Sequence, residues 1–304
     1  MDKLIVSASP HLHKSRSVEG IMWMVVLSLV PAGIAGVIIF GQNALWVIIA
    51  GILSAVLTEW LCQAIAKKKI TLLDGSAVLT GLLLAYNLPP DVPLWIPIVG
   101  SCFAILIGKQ IFGGLGQNIF NPALVGRVFL MASWPKLMTT FSAPFDAITQ
   151  ATPLAALKEG RLMQHLSYLD LFLGKRGGCI GEVCIAALVI GAIFLLLRGY
   201  ISWHIPVSFV ATTAIFVQCF GADWLFHVLT GGLILGAFFM ATDYVTSPLT
   251  RKGQVVFGIG CGLITAVIRL WGGYPEGVSY AILIMNAATP IIDRYTKKRV
   301  YGTL

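Results

Sequence analysis

The sequence predicts an all-α polytopic membrane protein of about ten spanning helices, arranged as two halves of five. Three observations carry that prediction. Of 304 residues, 57% are hydrophobic and only 11% charged, with a mean hydropathy of +0.86. A soluble domain carries about 25% charge, so polar groups are too few here to cover a water-facing surface. Second, ten apolar segments follow one another, roughly at 18–40, 45–66, 74–88, 94–111, 120–134, 181–197, 203–220, 224–242, 255–271 and 277–292. A spanning helix takes about 20 residues, and the periodicity is helical or featureless, without the alternation of barrel strands. Third, basic residues fall between alternate segments, as the positive-inside rule requires.

Taken in order, these segments fix a direction. With Lys3, Lys14 and Arg16 in the cytoplasm, Lys67–Lys69, Lys109, Arg198, Arg251–Lys252 and the tail from Arg294 to Arg299 fall on the same side. The opposite connections, 41–43, 89–93, 221–223 and 272–276, hold no Lys or Arg. The exception is 135–180, a long, nearly charge-balanced loop, and long loops obey the rule weakly. The expected organisation is therefore a first half at 1–134, an extracytoplasmic loop at 135–180 and a second half at 181–304, with both termini cytoplasmic. The first apolar run follows a polar, basic start and exceeds a signal-peptide core in length, so it is expected to remain as a helix. The third, fifth and tenth segments are short and hold Gly, Asn or Pro. Val78-Leu79-Thr80-Gly81 recurs as Val228-Leu229-Thr230-Gly231, and Asn121, Pro122 and Arg127 are echoed by Asn286, Pro290 and Arg294. Five is odd, so a repeat of five spans is inverted, and broken segments at matching places would meet near the midplane.

The same composition excludes a soluble enzyme, a disulfide-stapled secreted domain and a disordered regulator. The net charge of +8 forms no continuous basic stripe, so no nucleic-acid partner is expected. Thirty-two glycines and 14 prolines suit helices that pack closely and break locally. Six cysteines include no C-x-x-C pair, and only Cys179 and Cys184 lie near each other, which reads as small buried apolar residues. No histidine pair has metal-site spacing, and no metal cofactor is expected.

Intramembrane polar groups are costly and tend to be functional; here they are Glu59, Asp74, Arg127, Asp243 and Arg269. Asp74, before Gly75-Ser76, serves equally as a helix cap. Arg127 has two readings, snorkelling to the cytoplasmic face or holding an anionic cofactor. The run Gly108–Pro122, rich in glycine and amides, exposes backbone that must pack in protein or line a cavity. It contains no Walker loop, and no strand precedes it as a dinucleotide fingerprint requires. In the large loop, Asp146-Ala147-Ile148-Thr149-Gln150-Ala151-Thr152-Pro153 admits two readings. Thr152 and Pro153 suit an N-cap and the first helical position. Alternatively, the Thr152 hydroxyl is esterified by the phosphate of FMN, in a surface loop that a transferase can reach.

Several stretches resemble the NqrB/RnfD family, flavin-carrying membrane subunits of ion-pumping electron-transfer complexes. They are Ser9-Pro10-His11, Asp74–Ala77 running to Asn87–Pro90, Gly108–Arg127, Ala237–Asp243, and Glu276-Gly277 to Met285-Asn286. With little chain before the first span, the resemblance is nearer RnfD than NqrB. In this family the flavinylation signature is similar to D-x-x-[ST]-G-A-T, with FMN on the last threonine. Asp146, Thr149, Ala151 and Thr152 fit it, while Gln150 stands where glycine is usual. The resemblance implies covalent FMN at Thr152, a second non-covalent flavin such as riboflavin, and a urea-channel-like fold. Arg127 and Asn121 are the candidate residues for that second flavin or for a cavity. It further implies a subunit of a ferredoxin:NAD+ oxidoreductase in the bacterial cytoplasmic membrane, relaying electrons through flavin, with Na+ or H+ as coupling ion. Partner subunits would bind ferredoxin and NAD+, and a flavin transferase would mature the chain. The rival expectation, a solute transporter without redox chemistry, explains the halves but not the Asp146–Thr152 match.

Overall fold

The computed structural model describes residues 17–142, 149–150, 152–158, 167–274 and 276–297. The first half contains α1 (Val18–Phe40), α2 (Gln42–Ile65), α3 (Ser76–Tyr86), α4 (Trp95–Ile105) and α5 (Pro122–Ser133). The connecting region holds α6 (Pro135–Thr139), a two-residue hairpin of β1 (Phe141–Ser142) and β2 (Thr149–Gln150), α7 (Pro153–Lys158) and α8 (Tyr168–Leu173). The second half contains α9 (Ile185–Leu197), α10 (His204–Cys219), α11 (Trp224–Val228), α12 (Leu233–Leu235), α13 (Arg251–Trp271) and α14 (Val278–Thr296). Three of these, α1, α2 and α13, are long and apolar enough to cross a membrane. Their outward side chains are large and apolar, as in Ile38, Leu57 and Val267, which lipid tolerates and water does not.

Local chemistry sets the ends. Ser17 caps α1 by accepting from the Gly20 N–H at 3.1 Å. Asp74 accepts from both the Ser76 N–H (2.9 Å) and its hydroxyl (2.6 Å), which is the cap reading of that acid. Asn121 caps α5 through the N–H groups of Ala123 and Leu124, with Pro122 at the first helical position. α4 ends in a π-helical turn at Leu106–Gln110, and a second such turn, Gly236–Met240, follows α12. Such turns mark functional places in helices.

Within the first half α2 lies against α3 and α4, and α4 against α5; within the second α10 lies against α13, and α13 against α14. The halves meet where α1 packs on α9 and α5 on α14. Contact is close enough to require small residues: a Cβ on Gly81 would lie 2.5 Å from the Gly51 carbonyl.

One expectation about breaks needs correction. The tenth segment is an uninterrupted helix with Pro290 inside it, and it is the eighth segment, 224–242, that breaks into α11, α12 and a π-helical turn. The break falls at Gly231 and Gly232, whose φ of +65° and +64° suit glycine and little else. Val78–Gly81 is helical, whereas its echo Val228–Gly231 runs into the break. The echoed asparagines do meet: with its amide turned to satisfy both ends, Asn286 accepts from the Asn121 N–H at 3.1 Å and donates to the Thr246 carbonyl at 3.3 Å.

Candidate functional site

Thr152 immediately precedes α7, and its hydroxyl accepts from the Ala155 N–H at 3.3 Å. The cap reading is therefore realised, yet the side chain is only 5% exposed. It faces a pocket, and its burial departs from the expectation of a surface threonine that a transferase can reach. Arg127, Met131, Tyr274, Glu276 and Tyr280 line the same cavity. The rings of Tyr274 and Tyr280 stack at 5.0 Å and 25°, giving the wall a flat aromatic face.

Arg127 does not snorkel. It is buried, donates to Glu276 and to the side-chain oxygen of Asn87, and stands 3.9 Å from the Cys179 sulfur. Glu276 is held from behind: Arg269 donates through Nε to its backbone carbonyl at 3.0 Å and through Nη2 to the carbonyls of Thr230 and Gly231. Arg269 thereby satisfies the backbone freed by the break between α11 and α12, as apolar surroundings demand. α7 is fixed in turn by Lys158, whose ammonium donates to the carbonyls of Ile268 (3.1 Å), Gly272 (2.6 Å) and Tyr274 (2.7 Å) at the end of α13. Burial, followed by the nearby Arg269 guanidinium, pulls the Lys158 ammonium below its ordinary pKa.

The sequence of this chain matches the NQR2, RnfD, RnfE family over residues 5–302. The chain belongs to that family. It is 54% identical over 303 residues to a subunit of the Na(+)-translocating ferredoxin:NAD(+) oxidoreductase complex of Acetobacterium woodii, covering 98% of this chain and 95% of that protein. It is 49% identical to a subunit of the proton-translocating ferredoxin:NAD(+) oxidoreductase complex of Clostridium ljungdahlii, covering 98% and 96%. It is 39% identical to a subunit of the ion-translocating oxidoreductase complex of Stutzerimonas stutzeri, covering 94% and 92%.

Of the site residues expected in this family member, Thr152 and Arg127 share a cavity, and Asn121 does not join them. Asn121 lines a separate pocket with Ser76, Lys109, Asn118, Thr242 and Asp243. Its side chain donates to the Met240 carbonyl at 3.2 Å. Thr149 contributes backbone to β2, and Asp146 and Ala151 lie outside the described residues.

Sequence reasoning missed Glu276, the stacked tyrosines, Lys158 and the acid Glu182. Glu276 sits in a connection, where an acid looks solvated, and nothing local marks it as a partner of a residue 149 positions away. Lys109 reads in the sequence as one of the cytoplasmic loop charges. It is instead 2% exposed, its ammonium 2.7 Å and 2.8 Å from the Glu59 oxygens and 2.6 Å from the Ser76 hydroxyl. The correction has a physical cause: Lys109 lies within the π-helical turn that ends α4 and reaches Glu59 on α2 and Ser76 on α3.

Proposed function

We propose that this chain is the flavin-carrying membrane subunit of an ion-translocating ferredoxin:NAD+ oxidoreductase. FMN is attached through its phosphate to Thr152 and lodges in the cavity below. The observation that supports this most is the placement of Thr152, the only residue of the expected attachment signature with a described side chain, at a cavity walled by paired tyrosines and a buried guanidinium. The donor set fits the group: a hydroxyl for the phosphoester, flat aromatic and Met surfaces for the rings, and Arg127 for their electron-rich edge.

When bound, a flavin accepts and passes on electrons singly or in pairs. The residues here do the rest. Arg127 supplies fixed positive charge where negative charge would arrive, and Glu276 and Asn87 hold it in that direction. Lys158 keeps α7, and with it Thr152, against the cavity. Since Thr152 is nearly buried, attachment by a flavin transferase precedes the closure of α7 onto α13.

The second cavity, with Asn121, Ser76 and Asn118 on its wall, suits a non-covalent flavin such as riboflavin. The matched packing of α2 on α4 and α10 on α13 supports an inverted repeat of five spans. We place both termini in the cytoplasm of a bacterial inner membrane and the 135–180 loop outside. The relatives divide between Na+ and H+ as the coupling ion, and either serves this reading. Ferredoxin and NAD+ bind to partner subunits.

In-gel ultraviolet fluorescence of the denatured protein, with and without a flavin transferase, tests the reading. A fluorescent wild-type band that Thr152→Ala abolishes is the expected result. A dark wild-type band beside an active transferase would overturn it.

A further inference from the structure

Glu182 lies between α8 and α9 and is 3% exposed. Its two carboxyl oxygens differ. Oε1 accepts from the Cys179 N–H at 3.2 Å, whereas Oε2 is buried with no hydrogen-bond partner. The acid atoms of Glu182 and Glu276 and the Cys179 sulfur all lie within 4.8 Å of one another. Two buried carboxyl groups so close do not readily both ionise.

Their environments are unequal. Glu276 is committed to Arg127. Among the described residues, no salt bridge reaches the Glu182 carboxylate; Arg176 donates to the backbone carbonyl of residue 182 instead, at 3.0 Å. Gly232 leaves room at the free oxygen, since a Cβ there would come within 2.5 Å of Oε2.

The geometry points to Glu182 as a proton-binding site coupled to charge in the Thr152 cavity. One electron arrives there from a one-electron carrier of a partner subunit, and one proton from bulk water joins Oε2 of Glu182. When the electron leaves, the proton returns to water, so charge balances in both directions. The site rests on the flavin reading of the cavity.

The charged and titratable groups facing Glu182 explain why it responds. They are Arg176 and Cys179 on its own segment, Arg127 on α5, Glu276 before α14 and Arg269 on α13. Three guanidiniums against two carboxyl groups oppose a bound metal cation. A negative charge added beyond Glu276 favours a proton on Glu182, because Coulomb forces reach far in a weakly screened interior.

Glu182→Gln keeps an oxygen for the Cys179 N–H and the same shape, yet cannot titrate. The test uses the assembled complex, after the fluorescent band has shown covalent flavin. The midpoint potential of that flavin is followed against pH, together with the redox-difference infrared spectrum of protonated carboxyl groups. Wild type is expected to show a potential that falls as pH rises and a carboxyl band that appears on reduction. Both should be lost in Glu182→Gln and retained in Glu182→Asp. An unchanged pH dependence and band in Glu182→Gln would overturn the site. A pH-independent wild-type potential on a fluorescent protein would overturn the proton site alone, without recourse to a variant. A dark band would remove the flavin reading and this site together.

Discussion

Lys109 and Glu59 form a buried ion pair across α4 and α2, with neither side chain more than 2% exposed. Gln63 and Gln110 donate to the Glu59 carboxylate at 3.2 Å each, and Ser76 accepts from the lysine, so the pair is fully enclosed by hydrogen bonds. Removing one partner strands a charge in an apolar interior, which costs about 3–5 kcal/mol. Lys109→Met and Glu59→Met should each lower the thermal midpoint in detergent by an amount of that order. The double variant should lose clearly less than the sum of the two. Strict additivity would show that the charges do not depend on each other.

Arg127 and Glu276 make a second such pair, this one on the wall of the Thr152 cavity. Arg127→Gln should destabilise the protein by about 3–5 kcal/mol for the same reason. Its second consequence is specific to the site. With the guanidinium gone, the potential of the proposed covalent flavin should fall, because reduction loses a nearby positive charge. Redox titration of the flavin absorbance of the native protein measures this, and a potential equal to wild type would argue that the flavin lies away from Arg127.

The sequence disclosed what composition and local chemistry determine, and little that depends on depth. The caps at Asp74 and Thr152 were legible because a cap is decided within four residues. The all-helical class was legible because the shortage of charge leaves few alternatives. Lys109 was misplaced because counting charges by loop records their order along the chain and not their rotation about a helix. The break at Gly231 was missed because Val228–Gly231 repeats a stretch that is helical in α3, and only φ distinguishes them. The pairings of Glu276 and Glu182 were invisible for a different reason. Their partners come from other segments, and no spacing rule links them.

Lys158 joins α7 to the C-terminal end of α13 and the turn after it by donating to the carbonyls of Ile268, Gly272 and Tyr274. Hydrogen bonds from a charged group contribute about 1.5–3 kcal/mol. Lys158→Gln is therefore expected to speed amide hydrogen exchange in α7 at least about tenfold, since 1.4 kcal/mol corresponds to a factor of ten. Exchange in α2, which does not touch this end of the molecule, should be unchanged. Uniformly faster exchange would mean general loosening rather than loss of a clamp. Flavin attachment should survive, because a freer α7 exposes Thr152 to the transferase.

Gln150 departs from the glycine usual in the attachment signature, and the fold says how much that matters. Residue 150 pairs with Phe141 in the antiparallel hairpin of β1 and β2. Extended backbone of this kind is open to every residue except proline, and glycine gains nothing in it. A requirement for glycine would have needed a left-handed turn, which paired strand geometry excludes. Gln150→Gly should consequently leave the yield of covalent flavin within about twofold of wild type, and loosen the hairpin by about 0.5–1 kcal/mol. Intact-mass measurement after a timed reaction with transferase decides the point. A several-fold gain in the glycine variant would show that attachment requires a conformation of this segment other than the paired hairpin.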